Sequence, residues 1–155
     1  MSFNCWFILL IVSFGCSNDR WAKENKAILE YGNEINRDLT NYDVILIESS
    51  FQCSGCVDSL FSMIEKNSML CLEFDWLIIL SNERHLRLLE PTENTLIFLD
   101  ERGVLEKHFS KLAGLNMIRM KDKEVIKIEP IGIKELQPEQ LKLKFDEVLG
   151  SKCLN

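Results

Sequence analysis

The sequence SSFQCSGCVDSLFSMIEKN, residues 49–67, places two cysteines between an apolar run and a helical pattern. Cys53 and Cys56 have the C-x-x-C spacing that reactive dithiols, zinc sites and structural disulfides all use. The apolar run before them, residues 43–48 (DVILIE), predicts a buried strand. After them, residues 57–64 repeat apolar side chains at the spacing of one helical face. This stretch therefore predicts a strand, a cysteine pair and a helix, in that order.

The rest of the chain alternates between strand-like and helix-like patterns. The predicted helices cover residues 17–39, ended by Thr40 and Asn41; 57–64, with Asn67 as a stop; 82–90, capped by Ser81; and 138–149, with Pro138 in its first turn and Gly150 as its stop. The predicted strands cover residues 43–48, 74–80 and 95–100, followed by a hairpin of 117–120 and 125–128. Residues 102–115 fit either a strand or a helix. The pattern predicts an α/β fold, a mixed sheet with helices on both faces.

The length and composition are those of one globular domain. The chain has 155 residues, of which 46% are hydrophobic and 27% are charged. Its formal net charge of −6 argues against a nucleic-acid partner, because surfaces that bind nucleic acids cluster Lys and Arg.

The N-terminal residues look like a bacterial lipoprotein signal. Residues 6–14 (WFILLIVSF) form an apolar run that is too short to span a bilayer as a helix. Gly15 precedes Cys16, which in such signals is lipidated and becomes the first residue of the mature protein. The preceding segment has no Lys or Arg, and Ser13 stands where an aliphatic residue is usual, so a plain secretory signal or a buried strand is the alternative. Either kind of signal would place the mature chain where disulfides persist.

A strand, a C-x-x-C pair and an amphipathic helix in succession resemble the thioredoxin-like fold. The resemblance covers residues 43–150 and is closest to small lipid-anchored thioredoxin-like proteins of the bacterial envelope. It implies a three-layer α/β sandwich, with a mixed central sheet, helices on both faces and a terminal β-hairpin plus helix. It also implies that Cys53, at a helix N-terminus whose dipole stabilises a thiolate, attacks a substrate disulfide, and that Cys56 resolves the mixed disulfide.

On this resemblance we expect four segments. They are a lipoprotein-type signal peptide at residues 1–15, an N-terminal tether and helix at 16–42, a thioredoxin-like domain at 43–150 and a tail at 151–155.

Two positions depart from the pattern of this family. The family has a cis-proline before its penultimate strand, where alignment on the hairpin puts Leu115 and alignment on the preceding strand puts Asn94. The tryptophan that precedes the first cysteine is replaced by Gln52. We expect Gly114, Leu115 and Asn116 to form the loop that faces the substrate.

The other cysteines and the histidines suggest no second centre. A zinc site would need two more ligands, and the sequence has only His85 and His108 and no second C-x-x-C. We therefore expect neither a metal nor a cofactor. His85 is predicted to be a solvated residue on a surface helix. Cys71, among apolar neighbours, is predicted to be an inert core thiol, and Cys153 a free thiol of the tail.

The predicted function is that of an envelope thiol–disulfide oxidoreductase, in which Cys53 is the nucleophile and Cys56 the resolving thiol. Its expected partners are protein thiols or disulfides and a further redox protein, with the membrane reached through a lipid on Cys16 and the domain facing the periplasm. The alternative is a redox-inactive thioredoxin-fold lipoprotein that acts as a protein-binding module. The sequence leaves the direction of the redox reaction open.

Overall fold

The computed structural model describes residues 19–49, 54–66, 72–112, 114–132 and 137–150. The α-helices are α1 (Ala22–Glu34), α2 (Ser54–Lys66), α3 (Val104–His108) and α4 (Pro138–Leu149). The strands are β1 (Val44–Glu48), β2 (Trp76–Leu80), β3 (Thr95–Leu99), β4 (Leu115–Lys121) and β5 (Glu124–Ile131). Short 3-10 helices cover Asp19–Trp21, Leu39–Asn41 and Glu83–Leu88. Within these ranges, no helix has both the length and the apolar character that a membrane span requires.

The described strands form one five-stranded mixed sheet in the order β3-β2-β1-β4-β5. β1 pairs in parallel with β2, and β2 pairs in parallel with β3. On its other side β1 pairs antiparallel with β4, which forms the hairpin with β5. The predicted α/β class and the mixed sheet are therefore confirmed. β1 occupies the centre of the sheet, so the chain that leaves its carboxyl end starts from the middle of the domain.

The sheet separates two hydrophobic cores because side chains alternate between its faces. Val44 and Leu46 of β1 belong to the core beneath α2 and α4, whereas Ile45 and Ile47 belong to the core beneath α1 and α3. All five residues of β1 are buried, as a central strand covered on both faces requires. The predicted placement of helices on both faces is confirmed.

Helix α1 ends at Glu34, five residues before the predicted end at residue 39. Asn36 takes the left-handed conformation (φ 56°), and the Arg37 N–H donates to the Gly32 carbonyl at 2.8 Å. A Cβ on Gly32 would stand 2.6 Å from the Arg37 carbonyl oxygen, so only glycine admits this close return of the chain. Leu39, which the helical pattern included, is buried from the following turn instead.

Two further segments differ from the simplest interpretation of their sequence. The ambiguous residues 102–115 include the short helix α3, whose first N–H groups, from Val104 and Leu105, donate to the buried Asp100 carboxylate at 3.2 and 2.7 Å. The helix predicted at residues 82–90 is a 3-10 helix, and its cap is Asn82, not Ser81: the Asn82 side chain accepts from the Arg84 N–H at 3.0 Å. The closing helix α4 has the predicted bounds, with Gly150 after its last residue.

The predicted segment boundaries fall partly on residues that the structure does not describe. The predicted signal peptide, the predicted lipidation site Cys16, the predicted stop at Asn67 and the predicted tail all lie outside the described residues. Helix α1 belongs to the predicted tether segment, yet Ile28 and Tyr31 are buried in the core that also contains α3. The packed unit thus includes α1 together with the sheet.

Candidate functional site

Cys56 lies in the first turn of α2, as its third residue, and is disulfide-bonded. Its side chain is half-buried. The predicted nucleophile Cys53 directly precedes α2 in the sequence and lies outside the described residues, as do Cys71 and Cys153. The first turn of a helix leaves backbone N–H groups without helical partners, and the helix dipole favours negative charge there. Cys56 therefore occupies a position suited to thiol chemistry.

The segment that carries the cysteine pair starts at the carboxyl end of the central strand. Glu48 is the last residue of β1, and Ser49 follows it at the start of the connection to α2. Ser49 is 2% exposed, and its N–H donates to the Gly114 carbonyl at 3.0 Å. Its hydroxyl contacts the carbonyls of Leu112 and Gly114. These bonds fasten the beginning of the connection to the chain that enters β4.

The predicted substrate-facing loop, Gly114 to Asn116, therefore lies beside the start of the cysteine-bearing segment. Leu115 is the first residue of β4 and pairs in register with Glu48. Leu115 and Asn116 are 1% and 3% exposed, and Gly114 takes a positive φ of 84°. The described residues contain no cis peptide bond. Because both side chains are buried, a substrate contact at these two residues would involve the main chain.

Three ionisable side chains meet at the carboxyl ends of β1 and β2. Glu48 ends β1, His85 lies in the 3-10 helix that follows β2, and Asp58 lies on α2. His85 Nδ1 is 2.8 Å from a Glu48 carboxylate oxygen, and His85 Nε2 is 3.2 Å from an Asp58 carboxylate oxygen. The side chains of His85 and Glu48 are 2% and 3% exposed, and that of Asp58 is 21% exposed. The imidazole is thus held between carboxylates from two different elements.

The contacts of His85 with the two carboxylates are at ion-pair distance. Neither ring nitrogen of His85 makes a hydrogen bond of acceptable angle, although both lie within ion-pair distance of a carboxylate. The Arg84 guanidinium contacts the other oxygen of Asp58, and the Ser81 N–H donates to Glu48 at 3.3 Å. With a protonated ring, two cations would face two carboxylates and the group would be neutral. We call these four residues (Glu48, Asp58, Arg84 and His85) the His85 cluster.

The prediction that His85 is solvated is wrong. The residue is 2% exposed, and its ring centroid is 5.7 Å from that of Phe61. Two features of the sequence could have suggested this. His85 stands among leucines at positions 86, 88 and 89, and a carboxylate, Glu48, ends the apolar run DVILIE. A carboxylate at the end of a buried strand needs a counter-charge, and the chain has only two histidines to offer besides Lys and Arg.

The geometry of the His85 cluster is not that of a metal centre. Its carboxylates approach different ring nitrogens of His85, so the potential ligands do not converge on one point. In the part of the chain that the structure describes, no three His, Cys, Asp or Glu side chains are grouped so that they could hold a metal ion.

Comparison of the chain with protein-family models, with curated proteins and with solved structures found no match. Its chemistry is therefore inferred from its own geometry. That geometry comprises a mixed α/β sheet, a disulfide-bonded Cys56 at the start of α2, and a charged cluster that joins α2 to the ends of β1 and β2.

Proposed function

We propose that this protein is a thiol–disulfide oxidoreductase that uses Cys53 and Cys56. The observation that carries the proposal is the disulfide-bonded Cys56 in the first turn of α2, directly after the connection from the central strand β1. A cysteine at a helix N-terminus gains thiolate character from the helix dipole and the unpaired N–H groups. If Cys53 is the partner of Cys56, as this proposal requires, the disulfide closes too short a loop to stabilise the chain much, which favours a chemical role for it.

The proposed reaction transfers two electrons from the dithiol to a substrate disulfide. The Cys53 thiolate attacks one substrate sulfur, and the other substrate sulfur leaves as a thiolate that takes up a proton. Cys56 then gives up its proton and attacks Cys53 in the mixed disulfide. The second substrate thiolate is released and protonated, and Cys53 and Cys56 become a disulfide. The same steps in reverse oxidise a substrate dithiol.

The fold supports this proposal at the level of architecture. The order β3-β2-β1-β4-β5, the antiparallel hairpin at one edge and the helices on both faces are compatible with a thioredoxin-like arrangement. In that arrangement the dithiol follows the central strand, as the cysteine pair follows β1 in this sequence. The loop at residues 114–116 would then flank the dithiol.

We further propose that the domain lies in the cell envelope, tethered through a lipid on Cys16 and facing the periplasm. The support is the apolar run at residues 6–14 followed by Gly15 and Cys16. Mass spectrometry of the mature N-terminus is expected to find a diacylglyceryl group on Cys16. An unmodified mature chain that starts elsewhere would remove the anchor from the proposal.

The exchange chemistry is tested with single cysteine variants in a disulfide-exchange assay. Cys53→Ser should abolish exchange because the nucleophile is lost, and Cys56→Ser should accumulate mixed disulfides because nothing resolves them. Cys153→Ser is the matched control and should retain wild-type exchange. If both C-x-x-C variants exchanged as fast as the control, the oxidoreductase proposal would be refuted. Capture of a protein partner by the Cys53→Ser/Cys56→Ser double variant would instead favour a binding module.

A further inference from the structure

The His85 cluster spans the two ends of the cysteine-bearing segment. Glu48 precedes Cys53 by five residues, and Asp58 follows Cys56 by two. His85 contacts both carboxylates from outside this segment, through opposite ring nitrogens. A single side chain therefore links the end of β1 to the early turns of α2, the two ends of the segment that contains the cysteine pair.

The charge of the cluster depends on one proton. A neutral imidazole has one N–H and one lone pair, so it would turn a lone pair toward one of the two carboxylates. A protonated ring attracts both. The charged groups that face the ring are Glu48 from β1 and Asp58 from α2, and Arg84 from the same 3-10 helix offsets Asp58. The cluster is neutral with the ring protonated and carries one negative charge without that proton.

We propose that His85 is a positioning residue for the Cys56 disulfide: its protonated ring, together with Arg84, neutralises Glu48 and Asp58 and thereby favours the reduced dithiol. When the ring loses its proton, the uncompensated negative charge lies beside the early turns of α2. That charge disfavours a thiolate at the helix N-terminus, so the equilibrium between dithiol and disulfide shifts toward the disulfide. The use of this linkage in catalysis rests on the proposed function, whereas the linkage itself requires only that the Cys56 disulfide can be reduced.

The direct test is the equilibrium of the whole chain with dithiothreitol at about pH 7. Reduction adds two electrons and two protons to the protein disulfide, and dithiothreitol supplies both as it closes to its cyclic disulfide. His85→Gln should shift the equilibrium constant toward the protein disulfide by about tenfold, the range of ordinary coupling between two sites. Glu48→Gln should shift it toward the dithiol, and the double variant should return close to wild type.

His108→Gln is the matched control, because His108 also faces two carboxylates but lies on the α1 face of the sheet. It should leave the equilibrium unchanged. A shift of the same size in His85→Gln and His108→Gln would overturn the inference. Shifts of the equilibrium constant in the same direction in His85→Gln and Glu48→Gln would also overturn it. A structural disturbance would move both variants in one direction, whereas removal of a positive charge and removal of a negative charge should move them in opposite directions.

Linkage also predicts the converse effect on His85 itself. The chain has two histidines, so imidazole resonances in NMR spectra can be assigned with the His108→Gln variant. In spectra recorded at one pH, the ring resonances of His85 should differ between oxidised and reduced protein, and those of His108 should not. Identical His85 ring resonances in the two redox states would overturn the inference. That result would leave the proposed function standing if Cys53→Ser still abolished exchange.

Discussion

His85 and His108 each face two carboxylates, but on opposite faces of the sheet. On the α2 face, His85 lies 2.8 and 3.2 Å from Glu48 and Asp58, with 2% of its side chain exposed. On the α1 face, His108 lies 2.9 Å from Glu34 and 3.7 Å from Glu30, with 10% exposed. The larger contrast is in the carboxylates: 3% of the Glu48 side chain is exposed, against 38% of Glu34 and 51% of Glu30.

This contrast shows how burial changes the meaning of the same residue types. The exposed carboxylates beside His108 are solvated, so water replaces the histidine at little cost when it is removed. Glu48 has no such access to water, and removal of its counter-charge leaves a buried carboxylate that keeps the Ser81 N–H but has lost the charge beside it. The two groups contain the same residue types. They are expected to differ in how much they contribute to folding stability, in how far salt weakens that contribution, and in their linkage to the Cys56 disulfide.

The largest expected effect is on folding stability. His85→Ala should lower the free energy of unfolding by about 3 kcal/mol, because it breaks a buried ion pair from one side. His108→Ala should lower it much less. Urea unfolding of both variants against wild type measures the difference. Equal losses of unfolding free energy in the two variants would contradict the expected difference between the two histidines. If His85→Ala does not fold, His85→Gln, which keeps most of the side-chain volume, provides a second measurement.

A smaller effect is expected from Tyr31, whose ring lies 6.1 Å from that of His108. Its hydroxyl is buried with no hydrogen-bond partner among the described residues. Burial, with a further contribution from the Asp100 carboxylate, raises the pKa of the Tyr31 hydroxyl above its ordinary range. Tyr31→Phe should therefore raise the free energy of unfolding by about 1 kcal/mol, since it removes an unsatisfied buried hydroxyl.

The pH dependence of folding stability also tests whether the Tyr31 hydroxyl is buried without a hydrogen-bond partner. Because its pKa is raised by folding, its contribution to stability is fully present below the ordinary tyrosine pKa and is lost as the pH rises through the folded value. Tyr31→Phe should remove that alkaline loss, as measured by unfolding across the alkaline range. A variant less stable than wild type would show that the hydroxyl has a partner.

The smallest expected effect is at Glu34, which is exposed on the α1 face. Hydrogen bonds from Lys107 and His108 lower the pKa of its carboxyl group. Its contribution to stability is therefore present above the ordinary glutamate pKa and is lost as the pH falls through the lowered value. Glu34→Gln should flatten this acid loss slightly, and high salt should erase the difference from wild type. If high salt did not remove the difference in stability between Glu34→Gln and wild type, Glu34 would behave as the buried Glu48 is expected to behave.

The regular parts of the fold were predictable because their signals are local. Five consecutive buried residues in β1, the hairpin of β4 and β5, and the bounds of α4 between Pro138 and Gly150 follow from apolar spacing and from stop residues. The early end of α1 was not predictable in this way. It depends on the close approach of Arg37 and Leu39 to Gly32 after the chain turns back, and the spacing of apolar residues along a helix carries no information about that contact.

The candidate site shows the same division. The position of Cys56 at the start of a helix after a central strand follows from the pattern around C-x-x-C. The burial of His85 depends on the 3-10 helix that carries it from the end of β2 toward Glu48 and Asp58, residues that are 37 and 27 positions away in the chain. Single-sequence spacing describes neighbours along one element and therefore misses a group assembled from three.

The reduction potential of the Cys53–Cys56 pair tests the central claim most directly. It is measured by thiol trapping of the protein across a dithiothreitol or glutathione series. The expected result is a reversible two-electron transition between about −270 and −120 mV, the range of known thiol–disulfide exchange proteins. A pair that remained in one redox state throughout the series would contradict the proposal and make this disulfide a structural one.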